Sequence, residues 1–282
     1  MRLRVVLAVF ATLALLAAIG IVYVVHVLSG GLPLQLPTQE CVFTADGSTA
    51  SLDPEQAANA ATISAVGLRR GLPIQAVVVA LAAASQESKL RNLNGGDRDS
   101  IGLFQQRPSQ GWGTADQLMD PRYAAKVFYD ALLKVKGWQQ LTVADAAQKV
   151  QRSADGSAYA PWENRSRILA TALAGDTAGA VGCTILDSPA QHGQAAATAL
   201  AEGVTADWGQ VRTVTPTGVT GLALAVTAPR TGWQYAHWLV AHAADQNVRS
   251  VHFGDQVWTA KAATWNHTDS PSPNTVVAEV YP

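Results

Sequence analysis

Between Ser51 and Gly175 there is not one histidine; the six in the chain are His26, His192, His237, His242, His252 and His267. That stretch cannot hold a Ser-His-Asp triad or a histidine-ligated metal. Glutamate is scarce there too, with Glu55, Glu87 and Glu163 alone. Charged residues make up only 15% of the chain, and a formal net charge of -1 leaves no global basic field for nucleic acid. No segment repeats at a fixed period, which removes solenoids and propellers. His237 and His242 are five apart and so do not share a helix face as paired ligands would. Neither a metal nor a cofactor is expected.

What is abundant is apolar, at 48% of residues. Val5 to Leu28 runs for 24 residues without Asp, Glu, Lys or Arg, long enough as a helix to cross a hydrocarbon core of about 30 Å. Arg2 and Arg4 precede the run and no charge follows until Glu40. The positive-inside rule then places the amino terminus in the cytoplasm and the bulk outside the cell membrane. A cleaved signal peptide, with its shorter apolar region of about 7–15 residues, is the alternative. Cys41 and Cys183, the only two cysteines, both fall on the exported side. An oxidising compartment permits a disulfide between them, and two free thiols are the other reading.

Residues 29–50 carry glycines and prolines without a sustained period and read as a linker. From residue 51 the signals are helical. Asp53-Pro54 caps a helix to Arg70, and Pro73 opens an apolar one that runs into Ser85-Gln86-Glu87. Asp120-Pro121 starts another to Gly137, Thr142 with Asp145 starts a fourth to about Arg152, and a last runs from about Pro161 to Ala174. Residues 51–175 thus read as one all-α domain, and 176–206 as a small-residue linker. Residues 207–282 alternate as a small α+β domain, with strands at 211–214, 221–226, 248–253, 256–260 and 274–281 and a helix at 233–244. Between 51 and 175 there are 14 Lys and Arg against 11 Asp and Glu, a local charge of +3. That sign suits an anionic wall polymer.

Glu87 is the one glutamate of the helical stretch placed where a strongly apolar helix meets a Gly-rich polar loop. A carboxyl half buried against apolar walls keeps its proton near neutrality and can deliver it to a departing glycosidic oxygen. Ala82, Ala83, Ala84 and Phe104 are available as walls. Asp97 and Asp99 stand ten and twelve residues on. An inverting hydrolase would use one as a base roughly 6.5–9.5 Å away, whereas beside glycines both also suit turn chemistry. Trp112, Tyr123, Trp138 and Tyr159 are aromatics able to stack on sugars. Trp112, between two glycines, is the one expected to be exposed.

Glu87-Ser88, then Ser100, then Gly102-Leu103-Phe104-Gln105 resembles the signature of the soluble lytic transglycosylases. There a Glu-Ser pair is followed eighteen residues later by the glutamine of Gly-Leu-Met-Gln. The match covers roughly residues 55–172. It implies a lysozyme-like fold, Glu87 as sole catalytic carboxyl, and Ser100, Gly102, Phe104 and Gln105 shaping a sugar cleft. The run from Gly96 to Gly113 is similar to actinobacterial membrane-anchored lysozyme-like proteins. The family's late Tyr-Asn-x-Gly turn stands here as Val150-Gln151-Arg152-Ser153, leaving Gln151 and Tyr159 as the residues to fill its role. Gly232-Trp233, Trp238-Leu239-Val240 and Val257-Trp258-Thr259 resemble a small accessory domain of actinobacterial cell-wall proteins.

The expected fold is therefore α+β: a transmembrane helix, an all-α lysozyme-like domain and a small carboxyl-terminal α+β domain. The resemblance implies cleavage of the β-1,4 bond between N-acetylmuramic acid and N-acetylglucosamine in peptidoglycan. The alternative is a catalytically inactive wall-binding scaffold in an envelope-spanning secretion or conjugation complex. Expected partners are glycan strands, the membrane through residues 5–28 and an envelope protein at the carboxyl-terminal domain, with no nucleic acid.

Overall fold

The computed structural model describes residues 14–25, 38–152, 156–216 and 218–282. Residues 14–25 form helix α1, apart from the compact unit Gln39–Pro282. No helix among the described residues is long and apolar enough to cross a membrane, which corrects the expected transmembrane helix. Residues 5–13 and 26–28 of the expected span lie outside the described residues.

The expected separate all-α domain is not seen either. Gln39–Pro282 is one unit carrying two antiparallel sheets. Strands β1 (Glu40–Ala45) and β2 (Ser48–Leu52) turn through Asp46 and Gly47 at φ of 49° and 72°. Asp-Gly favours this two-residue hairpin because both positions need positive φ. Alternate side chains Cys41, Phe43 and Ala45 enter the core. Strand β3 (Val181–Thr184) pairs with β1 and sets Cys183 opposite Cys41, closing a disulfide across 142 residues. The sheet order is β2-β1-β3. Both expected linkers, 29–50 and 176–206, thus contribute structure.

Helix α2 (Pro54–Arg69) starts at a reciprocal cap between Asp53 and Gln56. Helix α3 (Ile74–Ser88) is buried on all sides from Ala76 to Ser85. Its Val77-Val78-Val79 run stays helical because a helix apolar all round is held by the packing around it. Helices α2, α5 (Pro121–Lys134), α6 (Val143–Gln151) and α7 (Glu163–Leu173) cover it, after the one-turn α4 (Ala115–Leu118).

The second sheet runs β4 (Thr213–Val214), β5 (Gly221–Ala225), β7 (Trp265–Val280), β6 (Val248–Thr259). The strands expected at 248–253 and 256–260 are one bulged strand, and β7 begins well before 274. Helices α8 (Gly193–Trp208) and α9 (Pro229–Ala241) pack on this sheet, and both also touch α2. The two halves therefore share one core. At their junction Asp207 of α8 has no exposed surface. Its Oδ2 accepts from Thr62 Oγ1 and Trp238 Nε1, each at 2.7 Å, and Arg122 Nε lies 2.5 Å from its Oδ1. His242 stacks on Trp238, with its Nδ1 3.0 Å from Asp245 Oδ2. Burial lowers the His242 pKa, but Asp245 and Asp207 outweigh it and the net shift is upward.

His237 is buried beside Trp233 and Trp265. Its Nε2 accepts the Ala180 N–H at 3.0 Å, so the ring is neutral with its proton on Nδ1. Burial pushes its pKa down to about 3.

Two stability predictions follow from these buried groups. Asp207→Ala removes the buried acceptor shared by Thr62 and Trp238 and the ion pair to Arg122, and should lower the unfolding free energy by about 3–5 kcal/mol. Asp130→Ala, which loses only the half-exposed pairs to Arg70 and Lys126, should cost about 1 kcal/mol or less. Equal losses in urea melts would refute the junction's importance. The second concerns acid. The unfolded His237 ring takes up a proton below about pH 6.5, while the folded ring refuses one until about 3. Its contribution is whole above the unfolded pKa and is lost as pH falls, by up to about 1.4 kcal/mol per pH unit. His237→Gln should flatten that slope; an unchanged slope between these limits would contradict a neutral buried ring.

Candidate active site

Glu87 lies one residue from the carboxyl end of α3, half buried, where the fully covered part of the helix gives way to surface. The chain leaves the helix through Lys89 and Leu90, both in the left-handed region at φ of 57° and 61°. Two adjacent non-glycine residues there persist only when their surroundings fix them. Here Gln56 Nε2 and Asn59 Nδ2 of α2 bond the carbonyls of Lys89 and Leu90, each at 2.8 Å, and the Leu90 side chain is buried. The end of α3, and Glu87 with it, is thereby held in place.

The Tyr159 hydroxyl donates to Glu87 Oε1 at 2.6 Å. Tyr159 is buried on the 3₁₀ segment Gly156–Trp162, whose Trp162 Nε1 also donates to Gln86 Oε1 at 2.8 Å. Glu87 forms no salt bridge among the described residues; Arg91 turns away to Asp53 and Glu55.

The Gly102–Gln105 turn is closed by a bridge between Ile101 and Gln106 and pinned from three sides. Ser88 Oγ donates to the Leu103 carbonyl at 2.7 Å, and Gln151 Nε2 to the Phe104 carbonyl at 2.7 Å. The buried Phe104 ring stacks on Phe128 at 4.7 Å. Gly102 needs to be glycine: it sits at φ 77°, and a Cβ there would meet the Leu118 carbonyl at 2.4 Å. Gln105 is also left-handed, at φ 47°, and its Nε2 donates to the Gly102 carbonyl at 3.1 Å. Ser100 is buried behind this turn. Tyr159 thus bonds Glu87, Ser88 and Gln151 bond the turn at Leu103 and Phe104, and Gln105 is spent within its own turn.

Trp112 is half buried, and Tyr123 donates to its carbonyl at 3.3 Å, so neither is bonded to Glu87. Trp138 is buried in the core. The two aspartates differ. Asp97 is almost wholly exposed, with Arg98 at 3.8 Å. Asp99 accepts from Arg107 Nε at 2.7 Å and from the Ser109 N–H at 2.8 Å, and these bonds hold its carboxyl well below the usual carboxylate range. It clamps the loop and is not poised to take a proton from water. That clamp was not legible from the turn-like sequence, although Arg107, eight residues on, was the available signal. His192, His237, His242, His252 and His267 gather no third ligand, since no group of three His, Cys, Asp or Glu residues suited to a metal occurs among the described residues.

The loop clamp can be tested by amide exchange. Asp99→Ala should speed exchange at the Ser109 amide, and Asp97→Ala should leave it unchanged; equal effects from both would remove the distinction drawn between them.

Comparison with known proteins brings no match: no protein family fits the chain, and no curated protein does.

Proposed function

We propose that the protein cleaves β-1,4 glycosidic bonds of peptidoglycan on the outer side of the cell membrane, with Glu87 as general acid. The observation that carries this reading is a half-buried carboxyl, free of any cation, with the Tyr159 hydroxyl at 2.6 Å as its one bonded partner among the described residues. Tyr159 fixes Oε1, which leaves Oε2 to face a substrate. The Cys41–Cys183 disulfide supports an oxidising, exported location.

In the proposed reaction the Glu87 proton passes to the glycosidic oxygen as the bond to the muramic acid C1 breaks, and the N-acetylglucosamine 4-hydroxyl departs. The N-acetyl carbonyl of the muramic acid assists at C1. Glu87, now a carboxylate, takes the proton of whatever attacks C1 next: the sugar's own 6-hydroxyl, giving an anhydro end, or water, giving a reducing end. With Asp99 held by Arg107, one carboxyl serves both steps. Gln151, Ser88 and Phe104 act through the turn beside it.

The reading of a wall-binding scaffold is favoured by one observation. Two concavities, of about 720 and 490 Å³, are lined by residues such as Arg249, His252 and Tyr281 in one case and Trp112 and Lys149 in the other, and neither includes Glu87.

Purified peptidoglycan treated with the full chain separates the two by mass spectrometry of the released fragments. Glu87→Gln should lower release at least about 100-fold, and Tyr159→Phe, which loses one hydrogen bond to the carboxyl, about tenfold. Release equal to wild type from Glu87→Gln, or binding without any release from wild type, would end the enzyme reading.

A further inference from the structure

The concavity of about 490 Å³ lies where α5 and α6 end, with Trp112 and Tyr123 in its wall. Four charged side chains line it: Asp130, Lys134, Lys149 and Arg152. Asp130 is already held by Lys126 at 2.8 Å and Arg70 at 2.6 Å. Among the described residues, Lys134, Lys149 and Arg152 have no carboxylate within salt-bridge distance. Lys134 is the last residue of α5, Lys149 lies in the last turn of α6 and Arg152 is its cap. Each helix end offsets roughly half a positive charge, so three cations against two helix ends leave about +2 facing the groove. The volume is that of a ligand site, in the range of about 300–1,000 Å³. Gln151, next to the groove-lining Arg152, bonds the Phe104 carbonyl of the Gly102–Gln105 turn.

We propose that this groove holds the carboxylates of the peptide stems carried by the glycan strand, with Trp112 against the stem or its sugar. The assignment rests on the glycan-cleavage reading and deepens it, since the protein would then favour strands that still bear stems over stripped ones. Lysines suit such a ligand because a stem's carboxylates are spaced along a flexible chain, and point charges on flexible arms can follow them.

The test measures binding of the full chain in detergent to soluble glycan strands with stems and to the same strands stripped by an amidase. Wild type should bind the stem-bearing strands about tenfold or more tightly, and Lys149→Ala with Arg152→Ala should abolish the difference. The double variant should release fragments from stripped strands as wild type does. If it fails to fold, salt replaces it: wild type's preference should shrink as salt rises from roughly 50 to roughly 500 mM. Equal binding of both strands by wild type, or a preference untouched by the double variant and by salt, overturns the proposal. So does a glycerol-phosphate polymer that displaces the stem-bearing strands more effectively than free stem peptide. A stem preference in a protein that releases no fragments would sink the cleavage reading and keep the groove's assignment as a binding site.

Discussion

The carboxylate of Asp207 has no contact with solvent, and four elements meet on it: Thr62 from α2, Arg122 at the start of α5, its own α8, and Trp238 from α9. Moving a lone carboxylate out of water costs several kcal/mol even after relaxation, so Asp207 can stay buried only with these partners in place. The bonds to it run from the helical stretch to α8 and α9, within the one unit of residues 39–282. The disulfide acts in the same sense from the other side, since β1 and β3 lie before and after the helical stretch and are joined through Cys41 and Cys183.

Asp207 and Glu87 illustrate how surroundings divide one functional group between two tasks. Asp207 has a cation and two donors and no open side, which makes it a structural anchor. Glu87 has one neutral donor, Tyr159, and an open side. Asp99 lies between these limits: open to solvent, yet fastened by Arg107 and the Ser109 amide. The arrangement proposed for proton transfer needs a carboxyl that is positioned without being neutralised, and among these three only Glu87 meets both conditions.

Much of this was legible locally. Asp53-Pro54, Asp120-Pro121 and Thr142 with Asp145 are caps written within a few residues, and the structure uses all three. The resemblance singled out Glu87, the Gly102–Gln105 turn and Tyr159; the structure bonds Ser88 to that turn and Tyr159 to Glu87. The β1-β2 hairpin carried a local signal, Asp46-Gly47 between alternating apolar residues, but the prolines and glycines before it masked the strands. Strand β3 carried almost none: Val-Gly-Cys-Thr becomes a strand because β1 lies beside it, a pairing some 140 residues away in sequence. Helix α8 is built mostly from alanine and other small residues, so its buried stripe of Ala196, Ala197, Leu200 and Val204 stands out weakly from a small-residue linker. The ion pairs of Asp99 and Asp207 depend on which loops and helices come together, which no local pattern encodes.

Helix α6 couples the two places where ligand contact is proposed. Its apolar face, Val143, Ala146, Ala147 and Val150, is fixed against α3 and α5. That packing sets the direction of its last turn, so Gln151 meets the Phe104 carbonyl while Lys149 and Arg152 face the groove. Here the helix ends in an amide and two cations, and the hydroxyl arrives from the 3₁₀ segment that follows. The hydroxyl beside the glutamate thus comes from the 3₁₀ segment, and the end of α6 presents charge to the groove. On the proposed reading, a glutamate held by a neutral tyrosine and a cationic groove at the end of α6 form a coherent pair, because the positive charge lies where an anionic substituent would be recognised and is not spent on the carboxyl proposed to carry a proton.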